Sequence, residues 1–167
     1  MKLRLLVTKN CNRNCTGCCN KDWDLDGLPE VDLQYTRYDE IILTGGEPLL
    51  NVDRLKTLCE KIHVIQPRVP IFVYTACVDI QKISDILGVC DGMTLTLHTP
   101  LDGELFFNNS YNRFKNIFNK SLRLHVFKGI QVPKEVYSSR WKVKENIVWI
   151  KNCPLPVDEV FRKGLLY

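Results

Sequence analysis

Three cysteines at short spacing are the residues of this chain best suited to chemistry. Cys11, Cys15 and Cys18 lie in the stretch C-N-R-N-C-T-G-C, directly after a short apolar run at residues 3–8. Thiolates at spacings of four and three can converge from one tight loop on an inorganic cluster. A complete protein shell around an iron–sulfur cluster normally takes four thiolates, so three would leave one iron open to an exogenous ligand. The spacing therefore predicts a reactive iron–sulfur cluster.

A zinc ion is the alternative that the cysteines alone leave open. Cys19 or a distant histidine would then supply the fourth ligand of a tetrahedral site. Zinc sites usually contain paired C-x2-C knuckles, and the sequence has no second knuckle. The cysteine spacing therefore favours an iron–sulfur cluster over zinc.

A second motif, T-G-G-E-P, follows the apolar run at residues 40–44. Its paired glycines expose backbone groups and let a ligand approach without interference from a Cβ atom. Its glutamate adds a carboxylate suited to an ammonium group. The same residues could instead form a tight strand-to-helix turn. The members of the motif are Thr44, Gly45, Gly46, Glu47 and Pro48.

Short apolar runs alternate with amphipathic helical segments along most of the chain. Helices are predicted at Val52–Ile65, with Asn51 as N-cap, at residues 79–87 and at residues 101–120. Strands that alternate with helices indicate right-handed βαβ units and a parallel sheet. Since a closed barrel needs eight strands, we expect an α/β fold with an open partial barrel of about six mostly parallel strands. The predicted strands are residues 3–8, 40–44, 70–76, 93–99, 122–127 and 146–150.

The composition of the 167-residue chain is typical of one domain with a substantial core. It is 45% hydrophobic and 25% charged, which excludes a disordered or collagen-like chain. We expect a single domain over residues 1–167, with a core at residues 1–129 and a divergent C-terminal extension at residues 130–167. No apolar run approaches the roughly 20 residues of a membrane span, so we expect a cytoplasmic protein without a membrane partner.

The remaining five of the eight cysteines give weaker signals. Eight cysteines in 167 residues are too sparse for a secreted disulfide scaffold. Cys59, Cys77 and Cys90 stand singly in apolar surroundings and are expected to be core residues. Cys19 is also expected to pack as an apolar residue. Cys153 stands alone in the C-terminal extension and cannot hold a second cluster, and its role is left open.

Positive charge is concentrated in the last third of the chain. The net charge is +4, but residues 101–167 carry 12 basic and 6 acidic side chains. A basic surface that is also rich in aromatic residues could bind nucleic acid. The simpler interpretation is that the aromatic residues are core and the lysines a solvated face, so nucleic-acid binding is not expected. A non-enzymatic zinc-binding or nucleic-acid-binding module is the alternative class of protein.

The two motifs together resemble the radical SAM superfamily, most closely over residues 1–50 and as a strand–helix series to about residue 129. The resemblance implies that the three cysteines hold a [4Fe-4S] cluster whose open iron is chelated by S-adenosylmethionine. Residues Thr44 to Pro48 would line the methionyl end of this cofactor, and Glu47 would contact its ammonium group. His98 could bond a ribose hydroxyl, or it could be a structural histidine. An electron donor such as flavodoxin or ferredoxin is implied, because reductive cleavage to a 5′-deoxyadenosyl radical needs one electron.

The subfamily and the substrate are less defined by the sequence. Gly17 and the stretch C-C-N-K-D-W at residues 18–23 resemble the corresponding residues of glycyl-radical enzyme activases. Those activases, however, usually carry G-G-D where this chain has G-G-E. Peptide-modifying enzymes and deazaguanine-forming enzymes of queuosine biosynthesis share the same compact core. An open partial barrel leaves its mouth poorly covered, which suits a protein or peptide substrate. Residues 130–167 are where substrate choice is expected.

Overall fold

Seven parallel strands form one open sheet in the computed structural model, which describes residues 1–109, 111–114 and 117–164. The strands are β1 (Lys2–Thr8), β2 (Glu40–Gly45), β3 (Ile71–Thr75), β4 (Gly92–Leu97), β5 (Ser121–Phe127), β6 (Lys142–Ile147) and β7 (Glu159–Lys163). Their order is β6-β5-β4-β3-β2-β1-β7, and every neighbouring pair is parallel. The end strands β6 and β7 do not pair with each other in the described part of the chain, so the sheet is not closed. The expected open partial α/β barrel is confirmed, with seven strands where six were predicted.

The sequence-based prediction misplaced β6 and missed β7, and these are the two edge strands of the sheet. β6 begins at Lys142, whereas the apolar pattern predicted a strand at residues 146–150. Most side chains of β6 are exposed, because an edge strand does not need an apolar face. β7 was not predicted, since its sequence E-V-F-R-K is short and mixed in character, and it pairs with β1 on one side.

The α-helices in the described part of the chain are α1 (Val52–Ile65), α2 (Ile80–Leu87), α3 (Pro100–Asn109) and α4 (Lys134–Tyr137). The predicted N-cap of α1 is confirmed, because the side chain of Asn51 accepts a hydrogen bond of 3.0 Å from the backbone N–H of Arg54. The prediction of one helix over residues 101–120 is wrong. A separate short 3-10 helix follows at Tyr111–Phe114, while residues 110, 115 and 116 lie outside the described residues. None of the helices in the described ranges is long and apolar enough to cross a membrane.

The two faces of the sheet have different chemical character. On β1, Leu3 and Leu5 are fully buried in the main core, to which α1 and α2 contribute their apolar faces. Side chains alternate between faces along a strand, so Arg4 lies on the opposite face. There it borders a cavity together with Tyr74 of β3 and Thr96 of β4. The sheet therefore has a helix-covered apolar face and an opposite, concave face of mixed polar and apolar character.

The isolated cysteines divide into two groups. Cys59 and Cys90 are 0% and 1% exposed in the core, as predicted, and burial raises the pKa of the first to about 12 and of the second to about 11. Cys77 is half-buried and packs against the same core. The prediction for Cys19 is wrong, because it forms a disulfide with Cys153 across a sequence separation of 134.

Candidate metal centre

The three cysteines of the first motif border the cavity on the concave face, at the carboxyl ends of β1 to β4. Cys11 is exposed, while Cys15 and Cys18 are half-buried. The same cavity is bordered by His98 and by residues 44–47 of the second motif. Parallel strands bring their carboxyl ends to one edge of the sheet, which is why motifs 27 residues apart meet here. Pro48 does not border this cavity and instead is buried at the start of the 3-10 helix Pro48–Asn51.

The donor set fits a multi-iron cluster better than a single metal ion. A structural zinc ion needs four ligands at about 2.0–2.3 Å in one tetrahedron, whereas each thiolate of an iron–sulfur cluster binds a different iron. Among the residues that the structure describes, no three histidine, cysteine, aspartate or glutamate side chains are grouped closely enough to share one metal ion. Cys19, the proposed fourth zinc ligand, is engaged with Cys153. Three separate thiols around one cavity are therefore best matched by a cluster.

The surroundings of Cys15 oppose ionisation of its thiol. Burial raises the pKa of the Cys15 thiol above its ordinary value, and the neighbouring Cys18 and Cys11 raise it further. The nearby guanidinium of Arg13 acts in the opposite direction. Thiolates at this place repel one another, so a cationic group between them would stabilise the deprotonated forms that metal binding needs.

Gly45 and Gly46 are needed because the cysteine loop crosses directly over them. A Cβ atom on Gly45, whose φ is +154°, would lie 2.2 Å from the carbonyl oxygen of Thr8. A Cβ on Gly46 would lie 2.0 Å from the carbonyl oxygen of Asn10. Two backbone hydrogen bonds of 2.8 Å hold this contact, from Gly46 N–H to Thr8 and from Glu47 N–H to Asn10. The chain itself thus makes a close approach at these glycines, and since both also border the cavity, the approach of a ligand to their exposed backbone stays a prediction.

Glu47 joins the ends of β2 and β3. Its side chain is 1% exposed, and its carboxylate accepts hydrogen bonds from the Thr75 hydroxyl and from the backbone N–H groups of Leu49 and Ala76. These three donors fix the carboxylate beneath the cavity. Its contact with an ammonium group stays a prediction.

Asn20 ties the other end of the cysteine loop to the second motif. It lies in a 3-10 helix, Cys19–Lys21, and its side-chain amide donates a hydrogen bond of 2.6 Å to the carbonyl oxygen of Gly45. The Lys21 ammonium donates to the carbonyl oxygen of Cys15 at 2.8 Å. Neither contact was expected from the sequence, because each depends on how the loop folds back on itself.

Arg13, inside the cysteine motif, forms a two-pronged ion pair that the sequence did not reveal. Its guanidinium donates to both carboxylate oxygens of Asp102, at 2.9 and 2.6 Å. Asp102 also accepts from the backbone N–H groups of His98 and Thr99, both at 2.9 Å, while its own N–H donates to the Thr99 hydroxyl. The two hydrogen bonds between Thr99 and Asp102 form a capping box at the start of α3. The sequence T-P-L-D at residues 99–102 could therefore have indicated where this helix begins, but not that Asp102 pairs with Arg13. The pair fixes the cysteine loop to the end of β4.

Replacing Asp102 with Asn is expected to lower the free energy of unfolding by about 1.5–3 kcal/mol near neutral pH, because a charged acceptor is lost and the new amide faces a guanidinium. Burial alone would raise the pKa of Asp102, but the hydrogen bond and charge of Arg13 and the backbone N–H groups outweigh it, and the pKa lies below its ordinary value. A lowered pKa stabilises the fold above the unfolded-state pKa, and this contribution is lost as the pH falls through the folded-state pKa. The difference between wild type and variant should therefore shrink below about pH 4 in urea unfolding.

Asp26→Asn is the matched control for this prediction, since it also removes an aspartate that pairs with a cation. The Asp26 carboxylate is 82% exposed beside Lys9, and little change in stability is expected. Equal losses in the two variants would contradict the structural role of Asp102.

His98 lies beside the first motif, as expected for a site residue, but its partners are aromatic. Its Nδ1 is 4.0 Å from Cys15 Sγ, and its ring stacks on Trp149 with centroids 4.9 Å apart and planes at 22°. Burial lowers the pKa of His98, and the charge of Arg13 lowers it further, which favours the neutral imidazole. Its contact with a ribose hydroxyl stays a prediction.

The segment at residues 148–153 passes along the rim of the cavity and was missed as part of the site. Trp149 and Cys153 both border the cavity. The segment is fixed by the Cys19–Cys153 disulfide and by a hydrogen bond of 3.1 Å from Asn152 N–H to the Asp22 carboxylate. More than 120 residues separate these partners in the chain, so no local sequence pattern could have paired them.

An open parallel α/β sheet with three thiols in the loop after its first strand places them where an iron–sulfur cluster would lie at the carboxyl ends of the strands. The family described as "4Fe-4S single cluster domain" matches residues 2–122, well over half of the chain, and the protein belongs to that family. The match contains both motifs and His98 and ends within β5. Residues 123–167, with Trp149 and Cys153, lie outside it. No curated protein sequence matches the chain.

Proposed function

We propose that this protein is a radical SAM enzyme. The observation that carries the proposal is the shared cavity, in which Cys11, Cys15 and Cys18 face the Gly45–Gly46–Glu47 segment across the ends of β1 and β2. Membership of a single-cluster 4Fe-4S family supports the metal part of the proposal. The reaction with S-adenosylmethionine is supported by the three-thiolate set, which leaves one iron available to a cofactor.

In this proposal the chain supplies ligands and orientation. The three thiolates hold the cluster, and the Arg13–Asp102 pair and Asn20 fix the loop that carries them. Exposed backbone at the end of β2 would receive the methionyl group. A [4Fe-4S] cluster held by these residues would supply the electron for reductive cleavage of S-adenosylmethionine at its sulfonium–C5′ bond, which would yield methionine and a radical able to take a hydrogen atom from the substrate.

Anaerobic reconstitution with iron and sulfide, followed by dithionite and S-adenosylmethionine, tests the proposal. The expected result is a brown protein with about four irons per chain that forms 5′-deoxyadenosine. Absence of both the cluster and 5′-deoxyadenosine would overturn it. So would stoichiometric zinc without iron in protein purified without oxygen, which would support a zinc-binding module instead.

The substrate is proposed to be a protein or peptide, with a cytoplasmic flavodoxin or ferredoxin as electron donor. Val148 and Ile150, on either side of Trp149, are 57% and 60% exposed and give the rim apolar surface for a macromolecular partner. Incubation with candidate peptides, a glycyl-radical enzyme and small heterocycles separates the alternatives. Turnover of a heterocycle alone would contradict a macromolecular substrate and favour an enzyme of the deazaguanine type.

A further inference from the structure

Four basic side chains lie side by side on the concave face of β5 and β6. On β5, Arg123 and His125 are half-buried and alternate with the leucines that this strand contributes to the core. In the parallel register, Lys142 of β6 pairs with Arg123. Lys144 pairs with His125 in the next row. We call these four residues the basic strip, and all of them lie beyond residue 122, where the match to the cluster family ends.

Basic residues on the β1–β7 side of the sheet have carboxylate partners, whereas those of the basic strip do not. The Lys2 ammonium lies 3.1 Å from the Asp158 carboxylate. The Arg4 guanidinium lies 2.7 Å from the Glu159 carboxylate. Within the described residues, no member of the basic strip forms an ion pair with a carboxylate. The strip therefore presents positive charge that the described chain leaves without a counter-charge.

Protection of the sheet edge explains only part of the basic strip. Lysines on an edge strand keep it from pairing with other chains, which accounts for the two exposed lysines of β6. It does not account for Arg123 and His125, because β5 has a neighbouring strand on both sides. Burial lowers the pKa of His125, and the charges of Lys144 and Arg123 lower it further. The Arg123 guanidinium lies 5.3 Å from the ring centroid of Phe72, so its neighbour is an aromatic ring and not an anion.

The basic strip lies directly beside the cavity that the three cysteines border. Thr96, which borders this cavity, pairs with His125. The next residue on the same face of β5 is Phe127, whose ring centroid is 4.4 Å from that of Trp149. A Cβ atom on Gly17 would lie 2.4 Å from Cγ of Trp149, so the indole packs on the cysteine loop. A chain bound along the strip can therefore continue towards the proposed cluster site.

We propose that the basic strip binds an extended acidic segment of the peptide substrate, which lies along the edge strand β6. This assignment rests on the proposed function, because it names the class of substrate for the same cavity. Among the described residues β6 pairs only with β5, so its outer edge is open to the backbone of one more strand. The two rows of the strip are two residues apart along each strand, or about 7 Å, which is also the spacing of alternate side chains in an extended peptide. Acidic side chains at alternate positions would therefore meet both rows.

The test measures binding of two labelled peptides by fluorescence anisotropy, one with glutamate at alternate positions and one with glutamine in their place. Each protein is reconstituted with iron and sulfide, and its iron content and formation of 5′-deoxyadenosine are measured in parallel. Wild type is compared with the double variant Lys142→Gln/Lys144→Gln. The matched control, Lys56→Gln/Lys61→Gln, removes the same charge from α1, which covers the other face of the sheet.

At low salt, we expect the β6 double variant to bind the glutamate peptide about five- to tenfold more weakly than wild type, because each exposed ion pair contributes modestly. The α1 double variant should bind this peptide like wild type. The glutamine peptide should bind all three proteins weakly. Iron content should be the same in all three, since the exposed lysines do not border the cavity.

Separate outcomes would contradict the peptide-binding role and the proposed function. Equal affinities for the two peptides, or equal weakening in the two double variants, would overturn the role of the basic strip. A single-stranded oligonucleotide of the same length that binds more tightly than the glutamate peptide, and loses affinity in the β6 variant, would also overturn it in favour of a nucleic-acid site. Wild type that binds the glutamate peptide as expected but forms no 5′-deoxyadenosine would contradict the proposed function and leave the peptide site in place.

Discussion

Replacing Cys15 with Ala is expected to abolish assembly of the iron–sulfur cluster. The cluster would retain two of its three protein ligands. Loss of a residue that only hydrogen-bonds to a metal ligand lowers affinity by up to about 100-fold, so loss of a ligand itself should lower iron affinity by more than that. Iron and sulfide analysis after anaerobic reconstitution, together with visible absorbance, measures the loss. The fold should persist, because Cys15 is half-buried in a loop outside the main core.

Cys77→Ala provides the control for Cys15. Cys77 is half-buried too and follows β3, but it packs against the core and does not border the cavity. The control protein should bind iron and sulfide like wild type. Wild-type iron content in Cys15→Ala, or equal losses in the two variants, would remove Cys15 from the ligand set and with it the basis of the proposed function.

Replacing Gly46 with Ala is expected to have the second large effect, although it changes no side chain that touches a ligand. The new Cβ would lie 2.0 Å from the Asn10 carbonyl oxygen and 2.7 Å from that of Lys9. Both are backbone atoms, so no side-chain rotation can relieve the clash. The loop must move and weaken its hydrogen bonds to Gly46 and Glu47. We expect a loss of about 3 kcal/mol in urea unfolding and poor incorporation of iron.

Gly88→Ala is the control that shows whether a loss of stability is specific to the place where the cysteine loop crosses Gly46. Gly88 ends α2 with a φ of −63°, and its Cβ would lie 3.2 Å from the Asp85 carbonyl oxygen. This contact needs only a small adjustment, and the substitution also restricts the unfolded chain, so the net change should stay within about 1 kcal/mol. Wild-type stability and iron content in Gly46→Ala would show that the loop does not cross β2 as closely as described.

Local patterns in the sequence were sufficient for the central strands and for the first two helices. β1 to β5 begin and end within two residues of the predicted runs, because strands buried between neighbours must be apolar and short. α1 and α2 follow from amphipathic stripes, with the predicted N-cap of α1 at Asn51. Asp79, predicted as the first helical residue, is instead the N-cap of α2. The edge strands were misplaced or missed, since exposure on one side removes the apolar pattern on which such predictions depend.

The candidate site shows the same division. The spacing of Cys11, Cys15 and Cys18 and the T-G-G-E-P motif were sufficient to predict that both motifs lie at one edge of the sheet, because parallel βαβ topology leaves few alternatives. The sequence did not reveal a structural reason for the two glycines. Their space is filled by the backbone of the cysteine loop, a contact between two motifs that neither one specifies alone.

The sequence by itself determined the fold class, and it placed three candidate thiol donors after the first strand, because these features follow from local periodicity, residue chemistry and chain order. Only the tertiary structure decided what holds and covers the site. The partners Arg13–Asp102, Gly17–Trp149 and Cys19–Cys153 are separated by 89, 132 and 134 positions. Such pairs depend on the register of seven strands and on the path of the segment after β6, and these are set by packing across the whole sheet.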